Sequence, residues 1–175
     1  MQLPLHVLVI AICVLTMAGD FWERKVRNNW LVGALIFGAG WMVWCWARGI
    51  AGPPWPAMLG LLMGLVVLLP FYILRSMGAG DVKLFAVLGF LMGAKALLPI
   101  WIIASLIAGA HTVLLIMSRM SICLAVVNVL KIQAEKSSLW QRVLTARQGR
   151  RGLPYAAYMG IGALVTLYVP NLVHW

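Results

Sequence analysis

Met77-Gly78-Ala79-Gly80-Asp81-Val82-Lys83 sets an aspartate among glycines between two long apolar runs, in a 175-residue chain with only four acidic side chains. Asp20 closes another apolar run. A carboxylate near hydrocarbon costs about 3 kcal/mol by insertion scales and more by simulation, so one kept there marks a candidate site. Two of them together have a specific chemistry. Like charges about 3 Å apart cannot both ionise, and the pair holds one proton between its members. One carboxylate can then deprotonate a water while the other polarises a carbonyl and protonates the leaving group, which is the acid–base work of peptide hydrolysis. Any titration of such a pair belongs to both residues together.

The neighbours of the two aspartates suit that work. Gly78 and Gly80 allow a tight turn and close approach of a substrate chain. Asp81 is placed to cap a helix beginning at Val82. Three roles are open to Lys83: pairing with lipid phosphate, orienting a carboxylate, or binding substrate backbone. Glu23 and Asn28 are candidates for the rim of the site or for substrate contact. A metal or cofactor is not expected. His6, His111 and His174 are scattered, and Cys13, Cys45 and Cys123 form no C-x-x-C pair.

The elements that must hold these residues are membrane helices. The chain is 63% hydrophobic and 10% charged, with a mean hydropathy of +0.96, against about 45–50% and 25% in ordinary soluble domains. The excess must face lipid. The reading is a single all-α, polytopic membrane domain over 1–175 with six transmembrane helices, at about 3–19, 30–47, 54–74, 82–98, 99–117 and 154–172. Span one has no basic residue before it, which disfavours a signal peptide. Arg48-Gly49-Ile50-Ala51-Gly52-Pro53 reads as a tight reversal. Gly33, Gly60, Gly64, Gly89, Gly93, Gly160 and Gly162 read as contacts between closely packed helices. The first stretch of span four, Val82 to Gly93, gives about 18 Å of helix, short of a core of about 30 Å. Asp81 is therefore expected slightly inside the headgroup plane.

Charge fixes the orientation. With six spans, twelve of the fourteen basic residues fall on one side: Arg24, Lys25, Arg27, Arg75, Lys83, Arg119, Lys131, Lys136, Arg142, Arg147, Arg150 and Arg151. That side is the cytoplasm by the positive-inside rule, and both termini lie outside it. The net charge of +10 is thus read as a topology signal, with lipid and not nucleic acid as the partner. Two spans separate Asp20 from Asp81, so both face the same side, the cytoplasmic one. The loop at about 118–153 reads either as an interfacial amphipathic helix around Leu139, Trp140, Val143 and Leu144 or as a solvated basic loop.

These residues resemble the type IV prepilin peptidases, a family of intramembrane aspartic endopeptidases. In that family an Asp closing the first helix pairs with the Asp of a G-x-G-D-x-K motif, the places held here by Asp20 and by Gly78-Ala79-Gly80-Asp81-Val82-Lys83. Leu84 through Gly93 is similar to the family's A-x-L-G-x-x-x-G continuation, Arg24-Lys25-Val26-Arg27-Asn28 to a basic-basic-apolar-Pro-Asn segment, and Pro154-Tyr155 with Gly162 to the Pro-aromatic start of the last helix. Arg27 stands in place of the usual proline, and Ala156 where a glycine is common. The resemblance implies removal of a prepilin leader, a basic segment ending in glycine and followed by an apolar helix, at the cytoplasmic face of the bacterial inner membrane. It also implies a possible link to pilus assembly machinery. The chain looks like the short form associated with tight-adherence (Flp-type) pili. Presenilin-like proteases share G-x-G-D but expect an aspartate inside a span and a Pro-Ala-Leu element. A proton-coupled transporter expects mid-span charges, and a non-catalytic assembly scaffold leaves the aspartates unexplained.

Overall fold

A computed structural model of the chain describes residues 3–23, 27–117 and 154–173. Arg24, Lys25, Cys123, the Glu23 side chain and the whole segment 118–153 lie outside the described residues. What is described is helical: α1 (Leu3–Glu23), α2 (Asn28–Ala47), α3 (Trp55–Ile73), α4 (Ala79–Met92), α5 (Ala94–Met117) and α6 (Tyr155–Tyr168), closed by a 3-10 turn at Pro170–Leu172. Four of the six, α1, α2, α3 and α5, are long and apolar enough to cross a membrane, which makes this a multi-pass membrane protein. Helices α4 and α6 have only 14 residues each, about 21 Å apiece. Six transmembrane spans were expected, the first stretch of the fourth already short; α4 and α6 are the short pair.

The reason α4 can be short is its position. It packs against each of the other five helices, and every residue from Leu84 to Leu91 is buried. A helix sheathed by protein need not match the thickness of hydrocarbon, because its flanks are covered by other helices. The outer helices show the reverse pattern. Ile36 and Phe37 on α2, Leu59 and Val66 on α3, and Leu106 and Leu114 on α5 are more than half exposed, an apolar exterior of the kind that lipid covers.

Glycine brings α3 and α4 together. A side chain on Gly60 would run into the Gly89 carbonyl, and one on Gly89 into that of Gly60; a Cβ on Gly64 would lie 2.8 Å from Ala86 Cα. Small residues four apart thus lay backbone on backbone, where dispersion contacts replace the missing hydrophobic drive. Gly160 lets Met17 of α1 approach α6, and Gly162 does the same for Ile100 of α5. Gly33 and Gly93 differ from the expectation. Gly33 faces open space, and Gly93 takes φ +88, ending α4 and starting α5 within one residue. Span four therefore stops at Met92 instead of 98. Lys95 is the exposed residue in the first turn of α5, and Pro99 lies inside that helix.

The reversals around the site are built locally. Gly49, at φ +67, ends α2 with Ile50 N–H on Cys45 O at 3.0 Å and its own N–H on Trp46 O at 2.9 Å, the paired bonds of a Schellman cap. Arg75 makes the same cap after α3, with φ 56 and with Ser76 N–H on Phe71 O at 3.0 Å. That turn aims the chain into the glycine stretch before Asp81.

Replacing Gly60 or Gly89 by Val is expected to cost several kcal/mol, because overpacking here meets backbone. Gly33→Ala should leave stability within about 0.5 kcal/mol. Thermal unfolding of purified protein in detergent checks both; equal melting of Gly89→Val and wild type would contradict the packing.

Candidate active site

Asp20 lies in the last turn of α1 with 7% of its surface exposed. Asp81 lies in the first turn of α4, half-buried, ahead of the apolar run beginning at Val82. Helix packing carries each to the same place. Helices α1 and α6 run antiparallel, with Met17 seated on Gly160. Three residues forward on α1 and three back on α6, Asp20 Oδ2 accepts the Ala157 N–H at 3.0 Å. Asp81 Oδ2 accepts the Gly78 N–H at 3.3 Å, and the neighbouring Ala156 N–H faces the same carboxylate. The two carboxylates are thus brought together over the first turn of α6, and the negative charge of Asp20 acts directly on Asp81.

That first turn is the part sequence reading missed. The residue before it, Pro154, has no side-chain acceptor and caps nothing. The first N–H groups of a helix have no partner within the helix, and Ala156 is fully buried and Ala157 nearly so. Water cannot satisfy them; the aspartates do. The signal available in the sequence was the absence of Ser, Thr, Asn or Asp at the start of α6, a helix end without its own cap. Tyr155, at the same end, shares a hydrogen bond with Ser105 of α5 at 3.2 Å, and the Asp81 charge reaches its hydroxyl.

The expected supporting residues are placed as follows. Gly78 precedes α4 in an extended conformation, φ −74 and ψ 146, and a Cβ there would lie 3.3 Å from Asp81 Oδ2. Gly80 is the second residue of α4. Asp81 does cap its helix, which starts at Ala79 and not at Val82. Lys83 donates to Asn28 Oδ1 at 3.0 Å, tying the start of α4 to the start of α2. Arg27, in the position of the family's usual proline, holds extended backbone before α2 and stacks on Trp30 at 5.3 Å. Glu23 ends α1. Among the described residues no group of His, Cys, Asp and Glu has the arrangement of a metal site.

The electrostatics follow from this geometry. The like charge of Asp20 acts on Asp81 against the pull of the Gly78 and Ala156 N–H groups. A cavity of about 350 Å³ lies at the other end of α4, lined by residues including Leu5, Trp41, Phe90 and Met92. It is ~18 Å along the helix from Asp81, contains no carboxylate, and is separate from the paired aspartates.

A helical membrane protein that brings two aspartates to one end of a central glycine-packed helix is the class these observations define. The family model of the type IV leader peptidases matches residues 7–113, more than half of the chain and a range containing both aspartates, and the chain belongs to that family of peptidases. No curated protein and no solved structure gives a significant match.

Proposed function

We propose that the protein is an aspartic endopeptidase that removes the leader of prepilins at the cytoplasmic face of the bacterial inner membrane, with Asp20 and Asp81 as its catalytic pair. The observation that carries this reading is the meeting of the two carboxylates on adjacent amides of α6, in a chain of the leader peptidase family. With one proton between them, the ionised member takes a proton from a water whose oxygen attacks the scissile carbonyl carbon. The protonated member hydrogen-bonds the carbonyl oxygen. When the tetrahedral intermediate collapses, the C–N bond breaks and the amine nitrogen leaves with a proton supplied by the pair. No metal or cofactor enters the scheme.

The two carboxylates share the acid and base roles, with Asp20 held by the Ala157 N–H and Asp81 by the Gly78 N–H. The position of the pair at helix ends supports a substrate whose apolar helix lies in the bilayer and whose scissile bond emerges at its edge. The cytoplasmic side rests on the twelve basic residues gathered there. Gly78 and Gly80 give a substrate chain close approach, and Lys83 and Asn28, joined across α4 and α2, form part of the rim. The pilus type, including the tight-adherence system, rests on the resemblance alone.

Purified protein in liposomes, mixed with a prepilin carrying its leader, is expected to produce a mass shift at the glycine boundary. Asp20→Asn and Asp81→Asn should each lower the rate by about 10²–10⁴ or more. Normal cleavage by either variant would end the dyad assignment.

A further inference from the structure

We infer that Pro154 is a positioning residue: by giving α6 no cap of its own, it leaves the Ala156 and Ala157 amides for the two aspartates and so sets the geometry of the pair. The kinetic part of this rests on the peptidase reading above; the geometric part does not.

The observations run in one direction. Pro154 precedes α6 with φ −76 and ψ 69 and contributes no side-chain hydrogen bond, although its carbonyl starts the helix by accepting the Tyr158 N–H at 3.3 Å. Ser, Thr, Asn or Asp at such a position would turn a side-chain oxygen onto the second or third N–H of the helix. In this helix those are the N–H groups of Ala156, which faces Asp81, and of Ala157, which donates to Asp20 Oδ2 at 3.0 Å. A local cap and the aspartate pair therefore compete for the same donors. Pro154 is itself buried, so a cap placed there would have no water as an alternative partner.

The arrangement has a chemical consequence. Each aspartate is held partly through an amide of α6, and those amides lie at the positive end of the helix dipole. Each carboxylate keeps acceptor capacity for the shared proton and for water. Among the described residues, the groups facing Asp81 are Asp20 from α1 and the Tyr155 hydroxyl from α6, while Lys83 of its own helix is turned to Asn28 of α2. Withdrawing an α6 amide removes a hydrogen bond to the charged form of a carboxylate. That raises the value at which the pair titrates and loosens its alignment.

The test compares capping variants, Pro154→Ser and Pro154→Asn, with Pro154→Ala, which removes the ring without adding an acceptor. The first reading is the pH titration of the carboxyl infrared band, assigned by its loss in Asp81→Asn. The second is prepilin cleavage. Relative to Pro154→Ala, either capping variant is expected to move the titration up by about half a unit to one unit. It should also lower kcat by about tenfold to a hundredfold with KM little changed, and its alkaline limb should move with the titration. Pro154→Ala and a folded capping variant that titrate alike would overturn the inference, whether or not cleavage occurs. A shifted titration in a protein that never cleaves prepilin would keep the positioning role and defeat the peptidase reading instead.

Discussion

Two kinds of buried polar group that are each unfavourable alone are satisfied by one another in this protein. The opening turn of α6 has N–H groups out of reach of water, and an unsatisfied buried donor costs about 1–3 kcal/mol. Asp20 and Asp81 bring like-charged carboxylates to the same place. Setting one aspartate on each of two successive amides satisfies the helix end and holds the acids together. Almost everything else in the fold serves that meeting. The antiparallel seat of Met17 on Gly160 fixes the height of α1 against α6, and the Schellman turn at Arg75 followed by extended Gly78 fixes where α4 begins.

The central place of α4 explains an otherwise odd combination. The helix carrying Asp81 is short, apolar from Leu84 onward, and packed against all five other helices. Because protein surrounds it, its N-terminal end need not reach the bilayer surface. The carboxylate there is half-buried. The glycine contact with α3 allows this by bringing backbone against backbone with no side chain between.

Much of this was legible in the sequence. Apolar runs separated by charged or Gly/Pro junctions gave all six helices, since each run is long compared with a buried soluble helix and lacks acids. The two aspartates stood out because they are two of four acidic residues, each at the end of such a run. The reversal at Arg48–Pro53 was legible from Gly49 and Gly52. Less could be read where side-chain type does not record the partner. Gly33 and Gly60 look alike in sequence, yet one faces open space and the other the Gly89 backbone. In sequence Gly93 reads as a packing contact and the break falls at Pro99, yet the helix ends at Gly93, whose φ of +88 is a conformation that other residues rarely adopt.

Composition and spacing by themselves determined that the chain is a helical membrane protein with two aspartates on one side. Those properties depend on counting crossings and on the cost of charge in hydrocarbon, which are local along the chain. Which backbone groups receive the aspartates was decided only in three dimensions. Ala156 and Ala157 have no chemistry in their side chains and lie 137 residues from Asp20 in the case of Ala157. Their amides matter only because packing buries one helix end and supplies no other acceptor.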